Sequence, residues 1–181
     1  MEISLRWWQK TDGLRLFELY HLHPDLHRQL PQLAEPAQAT ELVTQWAALA
    51  EDEAIFCVSA DGQPAGLIGF FYSGKDAESG RYDRAWVWYW SAAPIRGQGI
   101  LKRLVKEGCD WAQGKDLAES APQFLRQLPS PQIRRLELGY RLNNPASAKV
   151  AQYAGFLVEG VERAKFIIDG QPVDAAIAAR L

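Results

Sequence analysis

The sequence predicts an α/β protein in which a mixed, mostly antiparallel sheet of about seven strands carries helices on both faces. The first observation is the order of periodic segments: strand, helices, antiparallel hairpins, strand–turn–helix, then strand–helix–strands. The second is the stretch from Ala85 to Trp111, where a two-residue period becomes a helical period across a glycine-rich turn. The third is size, because 181 residues with 48% hydrophobic content suit one domain over residues 1–181.

Composition and charge argue against nucleic acid and membrane as binding partners. A formal net charge of -2 leaves no broad basic surface for nucleic acid. No stretch approaches the roughly 20 apolar residues of a membrane span, and no leader pattern is present, so we expect a cytoplasmic protein. Cys57 and Cys109 each lie in an apolar periodic segment, so we expect both thiols to be buried and reduced.

The N-terminal third predicts a strand, two helices and a hairpin. The strand covers residues 3–8, and Asp12 is predicted to cap a helix that runs through Tyr20. The second helix covers residues 37–50, with Leu49 on its apolar face. The two hairpin strands, 54–59 and 65–72, are joined at Asp61-Gly62, and a polar loop follows over 75–82.

The central strand over residues 85–91 places Trp86, Trp88 and Trp90 on one face. It leads into the turn Arg96-Gly97-Gln98-Gly99 and a helix over 100–112. Unpaired N–H groups at a helix N-terminus beside a guanidinium form an anion site that suits a phosphate or pyrophosphate. The same glycines also fit a packing role in which they only let the chain bend. The P-loop and dinucleotide patterns are absent.

The remaining elements follow from capping and turn signals. Asn144 is predicted to cap a helix that Gly155 ends, and Asp169-Gly170 is predicted to join the final two strands. The predicted segments are an irregular stretch over 114–131 with a short helix near 123–128, and strands at 133–142, 156–158, 164–168 and 173–179.

Three stretches resemble the GNAT N-acetyltransferase superfamily. The sequence RGQGIL from Arg96 is similar to its acyl-CoA signature R/Q-x-x-G-x-G/A, with Leu101 where the family usually has Gly or Ala. The stretch from Asn144 to Phe156 resembles the N-x-x-S…G-F helix of the Rim-type branch, which includes enzymes that acetylate N-termini of ribosomal proteins and relatives acting on small molecules. The tail from Gly160 to Asp174 is similar to that branch's closing G-x-x-R…D-G…D pattern.

The resemblance implies that acetyl-CoA is the co-substrate and that its thiol arm enters a gap between two splayed central strands. The stretch over 91–93 would bulge and supply an N–H that polarises the thioester carbonyl. Lys102 and Arg103 either reach phosphates or form a solvated helix face. The predicted acetyl-CoA contacts are Trp90, Ser91, Ala92, Arg96, Gly97, Gln98, Gly99, Ile100, Leu101, Asn144 and Ser147.

The implied reaction is direct attack of a neutral primary amine on the thioester in a ternary complex. A base helps because an alkyl amine is mostly protonated at pH 7. Glu137 is the best candidate, directly or through water, and Asp83 is the second. Glu137 equally fits an ordinary strand carboxylate paired with Arg135 or Arg141.

The departing thiolate needs stabilisation, and Ser147 is predicted to contact it. Ala151 stands where many GNAT enzymes carry an acid tyrosine, and Tyr153 lies roughly 200° further round the helix. Trp86 stands where the branch often has Glu. Trp86 and Trp88 are hypothesised to line an acceptor pocket that favours an aromatic or flat amine.

His21, His23 and His27 invite a metal-binding interpretation, but Pro24 breaks the helix that would align them and no HExxH pattern accompanies them. The resemblance instead implies a loop over the acceptor, so the sequence predicts no metal. The acceptor is either a peptide N-terminus or a small-molecule amine, and a homodimer is possible. Two alternatives to an enzyme stay open: a non-catalytic acyl-CoA sensor or regulatory module, and a structural or interaction domain.

Overall fold

The computed structural model describes residues 1–181 and contains one sheet of seven strands in the order β1-β2-β3-β4-β5-β7-β6. The strands are β1 Ile3–Trp7, β2 Glu53–Ala60, β3 Gln63–Lys75, β4 Tyr82–Ser91, β5 Arg135–Arg141, β6 Leu157–Ile168 and β7 Gln171–Arg180. The helices are α1 Gly13–Leu22, α2 Pro36–Ala47, α3 Ile100–Ala112, α4 Gln123–Gln127 and α5 Pro145–Tyr153. Only the β4–β5 pair is parallel. The predicted mixed, mostly antiparallel sheet is confirmed.

Helices cover both faces of the sheet, as predicted. Side chains alternate along β2, so Phe56 and Val58 pack in one core cluster with residues of α3, α4 and α5. Ile55 and Cys57 pack in the other cluster with residues of α1 and α2. Cys57 and Cys109 are both free and fully buried, as the sequence predicted.

The pairing between β4 and β5 stops soon after it starts. The two strands share three consecutive pairs, Arg84–Arg135, Ala85–Leu136 and Trp86–Glu137. Beyond them β4 stays paired with β3, and β5 with β7, but β4 and β5 do not pair with each other. The splayed central strands implied by the resemblance are therefore present.

Two predictions for the N-terminal region are wrong. The Asp12 side chain does not cap α1, because its carboxylate accepts hydrogen bonds from Arg6 Nη1 at 2.7 Å and from the Gln9 N–H at 2.8 Å. It joins β1 to the turn before α1 instead. The helix α2 ends at Ala47 rather than at residue 50, because Leu49 turns the chain toward β2 with a φ of 53°.

The strands predicted at 156–158 and 164–168 are one strand, β6. Two register shifts interrupt its pairing with β7 without ending it. Within the second shift Ala164 has a φ of 53°, and its N–H donates to Asp174 Oδ1 at 2.8 Å. The predicted hairpin turn at Asp169-Gly170 is confirmed, with φ values of 51° and 75°.

The segment over 114–131 closes one end of the core on the α3 side. Its short helix α4 matches the helix predicted near 123–128. The Phe124 ring centroid lies 5.4 Å from that of Trp7 and 5.7 Å from that of Phe56, and Leu125 is fully buried. This segment therefore covers the sheet beneath β1 and β2.

A buried ion pair joins α3, α5 and β7. Arg180 Nη2 donates to Asp110 Oδ1, and Arg180 Nη1 donates to the Ala154 carbonyl at 2.7 Å. Lys106 contacts the other Asp110 oxygen at 2.7 Å. Since both helices also border the cleft described below, this pair helps to fix their separation.

We expect Asp110→Ala to lower the free energy of unfolding by about 3–5 kcal/mol, because it leaves the Arg180 charge buried and unpaired. Glu18→Ala breaks the exposed Arg15–Glu18 pair at 2.9 Å and is the control, with a loss of about 1 kcal/mol or less. Urea unfolding followed by circular dichroism measures both. A loss no larger for Asp110→Ala than for Glu18→Ala contradicts this role.

Candidate active site

A cleft of about 620 Å³ opens where β4 and β5 separate. The end of β4, the turn before α3, the first turn of α3 and the start of α5 form its walls. Most of the predicted acetyl-CoA contacts line it: Trp90, Ser91, Arg96, Gly97, Gly99, Leu101, Asn144 and Ser147. Two motifs far apart in the sequence are thereby brought together.

A run of free backbone donors passes the mouth of the cleft, which Gly97, Gly99, Leu101 and Lys102 line. None of the N–H groups from Gly97 to Lys102 donates to another protein atom. Gly97 and Gly99 both have a φ of 74°, a left-handed conformation that favours glycine. A Cβ at Gly97 would meet nothing within 4 Å, so close packing does not explain this glycine. Amides at a helix N-terminus with open space beside them fit the diphosphate of acetyl-CoA.

Arg96 lies across the mouth of the cleft. Its Nε and Nη2 donate to the Ser91 carbonyl at 2.7 and 2.5 Å, and Nη2 also donates to Asp25 Oδ2 at 2.7 Å. The guanidinium must leave these partners to contact a diphosphate. Asp25 belongs to a 3₁₀ turn over Pro24–Arg28, and no sequence signal marked it as part of the site.

Three predicted contacts do not line the cleft. Ala92 is fully buried, and its N–H donates to the Ala65 carbonyl at 2.7 Å. The Gln98 side chain donates to the Pro94 carbonyl at 2.6 Å, and Ile100 packs against the core. The N–H of Ala92 is therefore not available to polarise a thioester.

The bulge predicted over 91–93 is wrong. The β3–β4 ladder stays regular up to Ser91, and the Ala92 N–H extends it before a 3₁₀ turn over Ala93–Ile95. Because donors alternate along an antiparallel strand, the N–H groups of Tyr89 and Ser91 point away from β3 and toward the gap.

Tyr89 is a cleft residue that sequence reasoning missed. Its hydroxyl lies 3.0 Å from Ser147 Oγ and 3.2 Å from the Ser147 carbonyl oxygen. Burial raises the pKa of Tyr89 to about 12, so the phenol is neutral at physiological pH. Asn144 caps α5 as predicted, since its side chain accepts the Ser147 N–H at 3.2 Å. Because side chains alternate along β4, the sequence already placed Tyr89 on the face opposite the tryptophans. That alternation is the signal that could have identified it as a cleft residue.

The two candidate bases lie in different places. Glu137 pairs with Trp86 at the last β4–β5 pair, on the sheet face that carries α1 and α2. Its Oε1 lies 2.6 Å from Arg135 Nε, as the ordinary-carboxylate alternative predicted, and Arg135 also pairs with Glu159. Asp83 pairs with Arg134 at 2.9 Å near the start of β4. Neither carboxylate lines the cleft, but Glu137 lies at the point where β4 and β5 part.

The tryptophans of β4 share one face, as predicted, and the structure shows that Glu137 lies on that face too. The three rings differ in exposure. Trp90 is buried, and Trp88 stacks on Phe71 with ring centroids 5.8 Å apart. Trp86 is 40% exposed, and its ring lies against Gly139, where a Cβ would come within 3.2 Å of it. Phe71 is 41% exposed. Phe71 and Trp86 therefore present an aromatic surface beside Glu137, on the opposite side of β4 from Tyr89.

Two of the three histidines contact backbone carbonyls, and the buried Nε2 of His23 has no hydrogen-bond partner. His21 Nε2 lies 3.0 Å from the Leu33 oxygen, and His27 Nε2 lies 3.1 Å from the Tyr20 oxygen. No group of three His, Cys, Asp or Glu side chains is arranged to hold a metal ion. None of the helices combines the length and the apolar character that crossing a membrane requires.

Comparison with known proteins defines the class. The model of the family described as "Acetyltransferase (GNAT) domain" matches residues 2–157. The chain therefore belongs to the GNAT acetyltransferase family, and the predicted enzyme class, an acyltransferase that uses acetyl-CoA, is confirmed at the level of the family. No match was found among curated proteins.

Solved structures share the fold at low sequence identity. The ribosomal-protein-S5-alanine acetyltransferase from Vibrio fischeri is 19% identical with a TM-score of 0.74, and the match covers 100% of this chain and 93% of that one. The ribosomal L7/L12 α-N-protein acetyltransferase RimL in complex with coenzyme A is 18% identical with a TM-score of 0.73, covering 99% and 93%. A chimera of the spermidine N-acetyltransferase SpeG from Vibrio cholerae is 17% identical with a TM-score of 0.70, covering 100% and 96%. These likenesses show that the chain shares the fold of these acetyltransferases.

Lys102 and Arg103 are adjacent cations with different surroundings. Lys102 lines the cleft, and its Nζ lies 4.8 Å from the Tyr153 ring centroid. Arg103 Nη1 donates to the Ser120 carbonyl at 3.3 Å, away from the cleft. We expect Lys102→Ala to raise the Kd for acetyl-CoA about 2- to 5-fold, because a partly exposed charge contact is worth about 0.5–1 kcal/mol.

Arg103→Ala is the matched control, since it removes the same charge one residue away and is expected to leave the Kd within about 1.5-fold. Titration calorimetry at two salt concentrations measures both variants, and the salt dependence should weaken only for Lys102→Ala. Equal effects of the two substitutions would contradict the placement of the diphosphate.

Proposed function

We propose that the protein transfers the acetyl group of acetyl-CoA to a primary amine by direct attack in a ternary complex. The separation of β4 and β5, with free amides from Gly97 to Lys102 at its mouth, carries this proposal. The amides would bind the diphosphate, and Lys102 would add a charge beside them. The outward N–H groups of Tyr89 and Ser91 would bind the thiol arm, and one of them would polarise the thioester oxygen as charge grows on it.

Glu137 is the proposed base. It lies where the strands part, on the face opposite Ser147, so amine and thiol would approach the gap from opposite sides of the sheet. Arg135 holds one carboxylate oxygen of Glu137 at 2.6 Å, which orients the group and leaves the other oxygen to accept a proton, directly or through water. Asp83 has no such position and is not proposed.

We expect Glu137→Gln to lower kcat about 10²- to 10⁴-fold at pH 7, because the amine loses its proton acceptor. The loss should shrink as the pH approaches the pKa of the amine, where the neutral form needs no base. Glu159→Gln is the matched control, since Glu159 is the other carboxylate on Arg135, and kcat should stay within about 2-fold. Steady-state rates against pH measure this, and equal losses for both variants would contradict the role of Glu137.

The proposed acceptor is an amine that carries an aromatic or flat group. RimL and the S5-alanine enzyme are named for ribosomal-protein substrates and SpeG for spermidine, so the related folds serve both peptides and small amines. In this chain Phe71 and Trp86 expose aromatic rings next to Glu137. Rings at that place favour a flat acceptor group by stacking.

A panel of N-terminal peptides, polyamines and arylalkylamines tests the function through amine-dependent release of free CoA thiol. We expect turnover with at least one amine class and a higher kcat/KM for an arylalkylamine than for an alkylamine of equal length. Trp86→Ala should remove most of that preference, worth about 2- to 13-fold if one stacking contact is worth about 0.5–1.5 kcal/mol. Phe166→Ala, a change at an equally exposed ring on β6, should retain it.

A non-catalytic acyl-CoA sensor is the second candidate. One observation favours it: Arg96 occupies the Ser91 carbonyl, a group that would otherwise be free to bind the thiol arm. The same panel separates the two, because a sensor binds acetyl-CoA without releasing thiol when an amine is added. Absence of amine-dependent thiol release across the panel would contradict the enzyme and support the sensor.

The proposal also covers the domain organisation, the location and the oligomeric state of the protein. Residues 1–181 form one domain, supported by a sheet that includes strands from both ends of the chain. The protein works in the cytoplasm, supported by its two free cysteines. It forms a homodimer, supported by the edge strand β6, which exposes Leu157, Val161 and Ile167.

A further inference from the structure

We infer that Tyr89 is a positioning residue for the departure of CoA: as the thiolate forms, its phenol donates to Ser147 Oγ and frees the Ser147 hydroxyl proton to turn toward the sulfur. The inference rests on the proposed function, which supplies the leaving thiolate. It assigns a role to a strand residue outside the motifs through which the chain resembles its family.

The geometry places the two hydroxyls together inside the cleft. Tyr89 and Ser147 both line it, and their oxygens are 3.0 Å apart. Ser147 is held from the other side, because its N–H donates to Asn144 Oδ1 at 3.2 Å in the first turn of α5. Tyr89 is the only tyrosine among the residues that line the cleft.

The remaining side chains of α5 supply no hydroxyl at this point. Ala151 is buried and has none, and Tyr153 is 47% exposed with its ring beneath Lys102. The hydroxyl that reaches the first turn of α5 therefore comes from β4, across the cleft. Strand alternation directs Tyr89 to this side, opposite Trp88 and Trp90.

The two contacts define two arrangements of the hydroxyl protons. At rest the phenol donates its one proton to the Ser147 carbonyl, which can only accept, and Ser147 Oγ donates to the phenol oxygen. As negative charge grows on the sulfur, the phenol turns its proton to Oγ, and the Ser147 proton becomes free to donate to the thiolate. Burial of Tyr89 favours the neutral phenol, which keeps it a donor across the pH range of an assay.

The step balances without proton transfer from tyrosine. The amine nitrogen bonds to the acetyl carbon and loses a proton to Glu137. The carbon–sulfur bond breaks, its electron pair goes to sulfur, and Ser147 donates a hydrogen bond to the resulting thiolate. CoA leaves as the thiolate and takes a proton from solvent, and Glu137 releases to solvent the proton that it accepted from the amine.

A purely structural role would explain the same contact, since it also ties β4 to α5. The two roles differ in their dependence on the leaving atom. Stabilisation of a thiolate matters less when selenium replaces sulfur, because a selenolate is a weaker base and leaves with less help. A structural defect slows transfer from both donors alike.

Kinetics of Tyr89→Phe with acetyl-CoA and with the selenium analogue of acetyl-CoA test the inference. We expect kcat with acetyl-CoA to fall about 10- to 100-fold, with the KM for acetyl-CoA within about 2-fold of the native value. With the selenoester the loss should be about 3-fold or less. Ser147→Ala should show the same pattern, and the double variant should lose little more than either single one, because the residues act as a unit.

Tyr140→Phe is the matched control, since it removes the same atom from β5 outside the cleft lining, and kcat should not change. Native kcat in Tyr89→Phe, or an equal loss with both donors, would overturn the inference and leave the proposed function intact. If the native chain releases no thiol with any amine, the proposed function fails and this inference fails with it. If Tyr89→Phe does not fold, the double variant cannot be interpreted, and Ser147→Ala alone decides. An equal loss of kcat in Ser147→Ala with acetyl-CoA and with its selenium analogue would then overturn the inference.

Discussion

The site depends on one constraint in the sheet: β4 and β5 pair for three residues and then part. Beyond that point β4 stays paired with β3, and β5 with β7. The backbone donors and acceptors on the facing edges of β4 and β5 therefore point into a gap and have no strand to pair with. Such groups are costly unless they find a partner. At the open end of the gap α3 begins with a further run of free amides, and α5 begins beside it with Asn144 and Ser147. A long, polar, extended ligand such as acetyl-CoA would satisfy both sets of donors.

In the proposed reaction, the alternation of side chains along β4 places the two halves of the chemistry on opposite faces of the sheet. On the α3 and α5 face, Tyr89 reaches Ser147 at the place where sulfur would leave. On the α1 and α2 face, Trp86 lies beside Glu137, where an amine would approach. Because side chains on a strand point alternately up and down, these groups stay close together without competing for space. The buried pair of Arg180 and Asp110 then fixes the helices that border the first of these faces.

Local patterns predicted the parts of the site that depend on local structure. The strand–turn–helix around Gly97 and Gly99 and the cap at Asn144 each need only a few neighbouring residues, and both are present. The seven-stranded sheet and its parted strands also follow from the sequence, through the resemblance to the family. The pairing of Glu137 with Arg135 was foreseen because residues two apart share a strand face.

Contacts between distant segments could not be predicted in this way. Arg96 meets Asp25 across 71 positions, and Tyr89 meets Ser147 across 58. Nothing local distinguishes these side chains from others of their kind. The bulge at 91–93 failed for a related reason, since the Ala65 carbonyl is available to extend the ladder and only the β3–β4 register reveals it.

Hydrogen exchange of individual backbone amides, followed by NMR with and without acetyl-CoA, tests the central claim most directly. If the parted strands and the α3 N-terminus bind the thioester and its diphosphate, exchange should slow at Tyr89, at Ser91 and from Gly97 to Lys102. The amides of the edge strand β6 should exchange at unchanged rates. Unchanged exchange at the first set under saturating acetyl-CoA, or protection confined to another surface, would contradict the account.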